Sequence, residues 1–205
     1  MLFLGYDPGG KGTHGVAAID VSADGEIVGE LRCDVVVDAE AAWVWLAQHT
    51  GAKALGIDTL LAWSSTGSRE CDNALRRKYP AHAPTIIPQN SLYSSMTLNG
   101  AIVARRAARS GLPLFESHPK LLTRIIPRTD RATRSLLDAY VYIKAKGEGA
   151  KKDVKRADDM ADAVVAAWCA AQGFSGRWVV DLFALPGDTL EHVVEAARYP
   201  WPEAL

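Results

Sequence analysis

Five carboxylates in this 205-residue chain stand where carboxylates do chemistry. Asp7 closes the apolar run LFLGYD (2–7), Asp58 closes KALGID (53–58), and Glu116 lies near the end of LPLFES (112–117). Carboxyl ends of strands are where α/β sheets gather their ligand sites. Each residue alone has an ordinary role, since Asp7-Pro8-Gly9-Gly10 is a good turn sequence. The segment DDMADAVVAAW (158–168) changes the weighting. Asp159 and Asp162 are three apart, which puts them on one helix face with Cβ atoms roughly 5–6 Å apart. Asp158, rotated by about 100°, points elsewhere. Asp162 opens an almost wholly apolar stretch, where a buried carboxylate is costly without a partner or metal. Neighbouring strands lie about 4.8 Å apart, so two strand-end carboxylates can share an ion. An all-oxygen set suits Mg²⁺ or Mn²⁺, and without a cation the four charges repel. Two such ions about 3.5–4 Å apart would deprotonate a water and stabilise the leaving oxygen of an in-line phosphodiester cleavage.

Basic residues could complement that set. Lys11, in the turn after Asp7, could reach a phosphate, and Lys120, Arg124, Arg128, Arg131 and Arg134 could track a nucleic-acid backbone, although most surface cations only keep a protein soluble. His118 could assist proton transfer, but beside Pro119 at a helix start it reads more simply as structural. The hexapeptide GKGTHG (10–15) matches G-x-G-x-x-G, yet a strand-like VAAID follows where a dinucleotide site needs a helix. It is expected to form a hairpin turn, and no P-loop motif is present.

The elements that must position these groups follow from periodicity. Residues 2–7, 14–20 and 27–35 read as three consecutive antiparallel strands. A helix begins at an N-cap Asp38 and stops at Gly51, and the strand 53–58 follows. A right-handed crossover returning beside the first strand would bring Asp7 and Asp58 to matching ends. Helices are expected over 68–79, 97–111, 119–126, 131–147 and 158–173, with a short fifth strand at 112–117. The segment KGEGAKKDVKR (146–156) reads as an exposed, mobile connection. The late run RWVVDLFAL fits either a strand or a packed tail.

Bulk features set the frame. With 48% hydrophobic residues, a single domain spanning 1–205 with a sizeable core is expected. Cys33, Cys71 and Cys169 are scattered and odd in number, which fits neither a disulfide framework nor a thiolate zinc site, so the expected setting is the cytoplasm. No apolar run approaches the roughly 20 residues of a membrane span. The net charge of −1 hides an asymmetry: residues 101–157 carry 14 basic and 5 acidic side chains, and residues 158–205 carry 2 and 8.

In order, GYD, GIDTLLAW, SRECDNALRRK, FESHPK and DDMADAVVAAW resemble the motifs of a widespread family of predicted RNase H-like nucleases, related to the RuvC-type Holliday-junction resolvases. The resemblance spans residues 4 to about 170. It implies an α/β RNase H-like fold: a mixed five-stranded sheet of order 3-2-1-4-5, strand 2 antiparallel, flanked by helices. It further implies metal ligation by Asp7, Asp58, Asp159 and Asp162, with Glu116 as a further acidic member of the catalytic set. Arg69 and Asp72 match an R-x-C-D element; a guanidinium suits phosphate, and an Arg69–Asp72 pairing suits it nearly as well. The family's D-x-P-L pattern is replaced here by Asp58-Thr59-Leu60-Leu61. The implied function is a metal-dependent nuclease acting on DNA or RNA. Two rivals share the fold: a phosphotransferase of the sugar-kinase or actin-like type, whose second domain a homodimer would have to supply, and a non-catalytic binding module.

Overall fold

The computed structural model describes every residue except 11, 148, 188 and 204. The strands are β1 (Leu2–Asp7), β2 (His14–Val21), β3 (Ile27–Val36), β4 (Leu55–Ile57), β5 (Ala62–Ser64), β6 (Leu114–Glu116), β7 (Val180–Asp181), β8 (Leu190–His192) and β9 (Pro200–Trp201). The α-helices are α1 (Ala39–Ala47), α2 (Glu70–Lys78), α3 (Ser94–Arg109), α4 (Pro119–Ile125), α5 (Arg131–Ala145) and α6 (Lys151–Phe174).

Five strands form one mixed sheet of order β3-β2-β1-β4-β6. β2 runs antiparallel to β1 and β3, and β4 is parallel to both β1 and β6. This is the expected α/β sheet, with one shift of label: the strand expected as fifth is sixth in chain order, because the short β5 intervenes and pairs with β8 outside the sheet. Gly10, Gly12 and Thr13 lie between two antiparallel strands, as the sequence context requires, with Gly12 N–H donating to Val37 C=O at 2.9 Å.

Strand alternation sorts the side chains into two layers. Phe3, Ala17, Ile19 and Phe115 pack with Val164, Trp168 and the rest of α6, together with α4 and α5. Leu4, Tyr6, Val16, Ala18 and Ile57 pack on the other face with Leu46 of α1 and Val103 of α3. Asp38 caps α1 as expected, its Oδ1 accepting from Ala41 N–H at 2.8 Å.

One expectation is corrected, and one left open is decided. The stretch 151–156 is not a connection; it forms the first turns of α6, which runs 24 residues. Lys151 and Lys152 sit at the helix N-terminus, where the dipole disfavours cations, so only the acidic turn at 158 resembles a helix start in sequence. The run 177–185 divides into the two-residue strand β7, paired with β9, and a 3₁₀ turn over Leu182–Ala184.

Candidate functional site

The site exists because α6 lies directly on the sheet. Three glycines on three neighbouring strands permit this. A Cβ on Gly5 of β1 would stand 1.8 Å from Ala163 C=O, one on Gly15 of β2 would stand 2.0 Å from Asp159 C=O, and one on Gly56 of β4 would stand 1.9 Å from Ala166 C=O. No side chain larger than hydrogen fits at those distances, so the helix backbone rests on bare strand backbone. Asp7 and Asp58 each follow one of these glycines by two residues. They therefore face α6, because strand side chains alternate. Register aligns Tyr6 with Ile57, and Asp58 N–H donates to Tyr6 C=O at 2.9 Å, so Asp7 and Asp58 leave adjacent strands side by side. Gly15 stands opposite Asp7, with Asp159 of the helix directly over it. Asp162 lies one turn further along the same helix face.

Asp7, Asp159 and Asp162 are buried, and Asp58 is half-buried. Burial raises the Asp7 carboxyl well above the ordinary range, and Asp58, Asp162 and Asp159 add to the effect by repulsion. Burial and Asp162 push Asp58 up to about 8. Burial pushes Asp162 up to about 6, with Lys120 working against it. Burial raises Asp159 too, and Lys155 offsets part of that. Charge is returned by two ammonium groups: Lys120 Nζ stands 4.0 Å from Asp162 Oδ2, and Lys155 Nζ donates to Asp159 Oδ1 at 3.1 Å. Burial acts to lower Lys120, but Asp162, Asp58 and Asp7 outweigh it and hold the ammonium charged. Asp158 points away, to Lys144, as its helical rotation requires.

Among the described residues, no three His, Cys, Asp or Glu side chains converge closely enough to hold an ion as they stand. The chemistry of the set nonetheless suits one. All its donors are carboxylate oxygens, and Asp159 Oδ2 is buried with no hydrogen-bond partner. An orphaned buried carboxylate oxygen beside mutually repelling carboxylates is what a hard divalent cation relieves. Asp7, Asp159, Lys120 and Lys155 also line a cavity of about 260 Å³, floored by the glycine turn after β1 and bounded by the start of α3.

Glu116 belongs to a different constellation. Its strand partner is Ile57, so it faces away from α6, out of phase with Asp58 by one residue. There it meets Arg69, which is fully buried. The Arg69 guanidinium donates to Glu116 Oε1 and Oε2 at 2.7 and 3.0 Å, to Asp72 Oδ1 and Oδ2 at 2.8 Å each, and to Ala62 C=O at 3.2 Å. All five N–H groups are committed, so in this arrangement Arg69 has none to offer a phosphate. Of the two roles open to it from sequence, the structure gives it the pairing with Asp72, extended to Glu116. Leu61 N–H donates to Glu116 Oε2 at 2.6 Å, completing the carboxylate's partners. Burial pushes the Glu116 carboxyl up, while Arg69 and the Leu61 amide pull it back. With two guanidinium N–H groups and an amide on its oxygens, we take Glu116 as the ionised partner of a charged Arg69. The triad ties β6 and the loop after β4 to the start of α2, next to Asp58.

The strand position in phase with Asp58 is taken by Ser117, whose N–H donates to Ile57 C=O at 2.9 Å and whose hydroxyl is buried and unpartnered. Counting residues from the glycine or aromatic that faces the helix would have found it. His118 is held neutral, because burial lowers its pKa to about 4. Tyr6 and His14, not singled out in the sequence, pair on the opposite sheet face at 2.8 Å. Lys120 lies at the carboxylates, whereas Arg131 lines a groove with Asp24 and Trp168, by the β2–β3 turn. Lys11 lies outside the described residues. No protein-family model, no curated protein and no solved structure matches the chain.

Proposed function

We propose that this chain is a divalent-metal-dependent nuclease of the RNase H-like class, hydrolysing phosphodiester bonds of nucleic acid. The observation that carries the reading is that Asp7 and Asp58, at the ends of neighbouring strands, face the side of α6 that bears Asp159 and Asp162, with Asp159 Oδ2 buried and unpartnered. These four residues would hold Mg²⁺ or Mn²⁺, which when bound would supply an activated water and stabilise the leaving oxygen. The chain's own groups do the rest. Lys120 and Lys155 line the cavity, where their ammonium groups can donate to phosphate oxygens once a cation takes over the carboxylates. The Arg69–Glu116–Asp72 triad fixes the loop that begins at Asp58 and the strand β6 that leads into α4 and Lys120.

Labelled DNA and RNA, in single- and double-stranded form, test the proposal. Wild type is expected to cleave at least one of them only when Mn²⁺ or Mg²⁺ is added, and Asp7→Asn and Asp162→Asn are expected to fall to background. Equal activity in all three proteins would overturn it, and so would the absence of any Mn²⁺ binding heat in calorimetry.

A further inference from the structure

Tyr93 is the most exposed aromatic residue among those described, at 73%. Of the other exposed rings, Lys146 lies 4.3 Å over Tyr142, Phe174 packs edge-on against Phe3, and Trp63 is far less open, at 38%. Tyr93 lines the same cavity as Asp7, Asp159, Lys120 and Lys155. An open apolar ring beside two ammonium groups and two carboxylates has no purpose in the core.

The backbone that carries Tyr93 is fixed to the site. Tyr93 C=O accepts from Met96 and Thr97 N–H at 3.0 and 3.3 Å, opening α3. Asn99 Nδ2 donates to Gly9 C=O at 2.9 Å, tying that helix to the turn after Asp7. Thr59 Oγ1 donates to Met96 C=O at 3.3 Å, tying it to the residue after Asp58. Gly100 allows the approach, because a Cβ there would stand 2.3 Å from Thr59 Cγ2. The backbone that carries the ring is thus tied to the segments that follow both strand-end carboxylates.

We propose that the site takes an unpaired nucleic-acid strand, with the Tyr93 ring as the platform on which one base stacks. The inference rests on the nuclease reading above and names its substrate class. Phosphates are served by Lys120 and Lys155; a flat apolar face is served by a nucleobase, whose π-surface any sequence presents. In a duplex those faces are already stacked on neighbouring pairs, so the ring selects strands whose bases are free.

The test uses a 2-aminopurine-labelled oligonucleotide, single-stranded or annealed, with Ca²⁺ in place of Mg²⁺. Wild type is expected to bind the single strand more tightly than the duplex and to quench the labelled base. Tyr93→Phe should keep both properties, whereas Tyr93→Ala should weaken single-strand binding by roughly 10- to 100-fold and abolish the quench. Because Tyr93 is exposed, Tyr93→Ala should unfold at an unchanged denaturant midpoint, which separates lost stacking from lost folding. Unaltered binding by Tyr93→Ala, equal binding of duplex and single strand, or displacement of the strand by an equal concentration of a mononucleotide would each overturn the inference. If Tyr93→Ala is silent while Mn²⁺-dependent cleavage still requires Asp7, only the stacking role falls. If wild type neither binds nor cleaves any strand, both fall.

Discussion

At the scale of single residues, the carboxylates divide by what burial has done with them. Glu116 and Asp72 share a guanidinium whose five donors are all used, and its removal would leave two buried carboxyl groups without their cation. Arg69→Ala is therefore expected to cost about 3–5 kcal/mol, read from the denaturant midpoint. Asp7 is the contrary case, since its neighbours repel it. Asp7→Asn should leave the metal-free protein at least as stable, by on the order of 1 kcal/mol, while abolishing cleavage. A fall in stability comparable to that of Arg69→Ala would show that Asp7 is structural. The sequence made Asp7, Asp58, Asp159 and Asp162 legible, because strand ends and i,i+3 spacing are local signals. It placed Glu116 near a strand end without its phase, which directs the side chain to Arg69. Period-2 alternation decides that placement, but only once the register with Gly56 and Ile57 is known.

At the scale of elements, α6 and three glycines position the site. The crossover rule offered β1 and β4 as neighbours and the family resemblance implied the full order, and the structure has that order. The first turns of α6 were not legible, because Lys151, Lys152, Lys155 and Arg156 give no apolar periodicity and oppose the dipole. Those turns extend a helix whose later turns are buried, so tertiary packing overrides local preference. The glycines were visible as letters, but their contact with the helix backbone was not. Gly5→Ala should force α6 off the sheet, destabilising the fold by about 1–3 kcal/mol. Because α6 carries Asp159 and Asp162, Mn²⁺ affinity measured by calorimetry should fall as well, under conditions where the variant is still folded. Loss of stability with unchanged Mn²⁺ binding would mean that the helix position does not set the ligand geometry.

At the scale of the whole molecule, the near-neutral charge is resolved in space. The acidic segment that begins at Asp158 lies on the sheet, and Lys120, Lys144 and Lys155 of the basic segment stand around it. Arg131 is directed to a different groove, so only part of the basic run serves the site. The surplus of buried acid gives the metal-free protein a defined pH dependence. Asp7, Asp58 and Asp162 all have folded pKa values above their unfolded ones, with Asp58 at about 8 and Asp162 at about 6. A carboxyl raised on folding binds its proton more tightly in the native state, so its favourable contribution is complete below the unfolded pKa and is lost as pH rises through the folded value. Metal-free protein should accordingly lose stability between about pH 4 and pH 8, with the change from Asp162 ending near pH 6 and that from Asp58 continuing to about pH 8. Mn²⁺ bound there would offset the repulsion and compete with protons for the same oxygens, so it should raise the thermal midpoint strongly at pH 8 and hardly at all at pH 5, where the carboxyls hold protons. Scans at both pH values, with and without Mn²⁺, check this, and Asp58→Asn should flatten the metal-free profile. Equal Mn²⁺ stabilisation at the two pH values would show that the ion binds elsewhere than at these carboxylates.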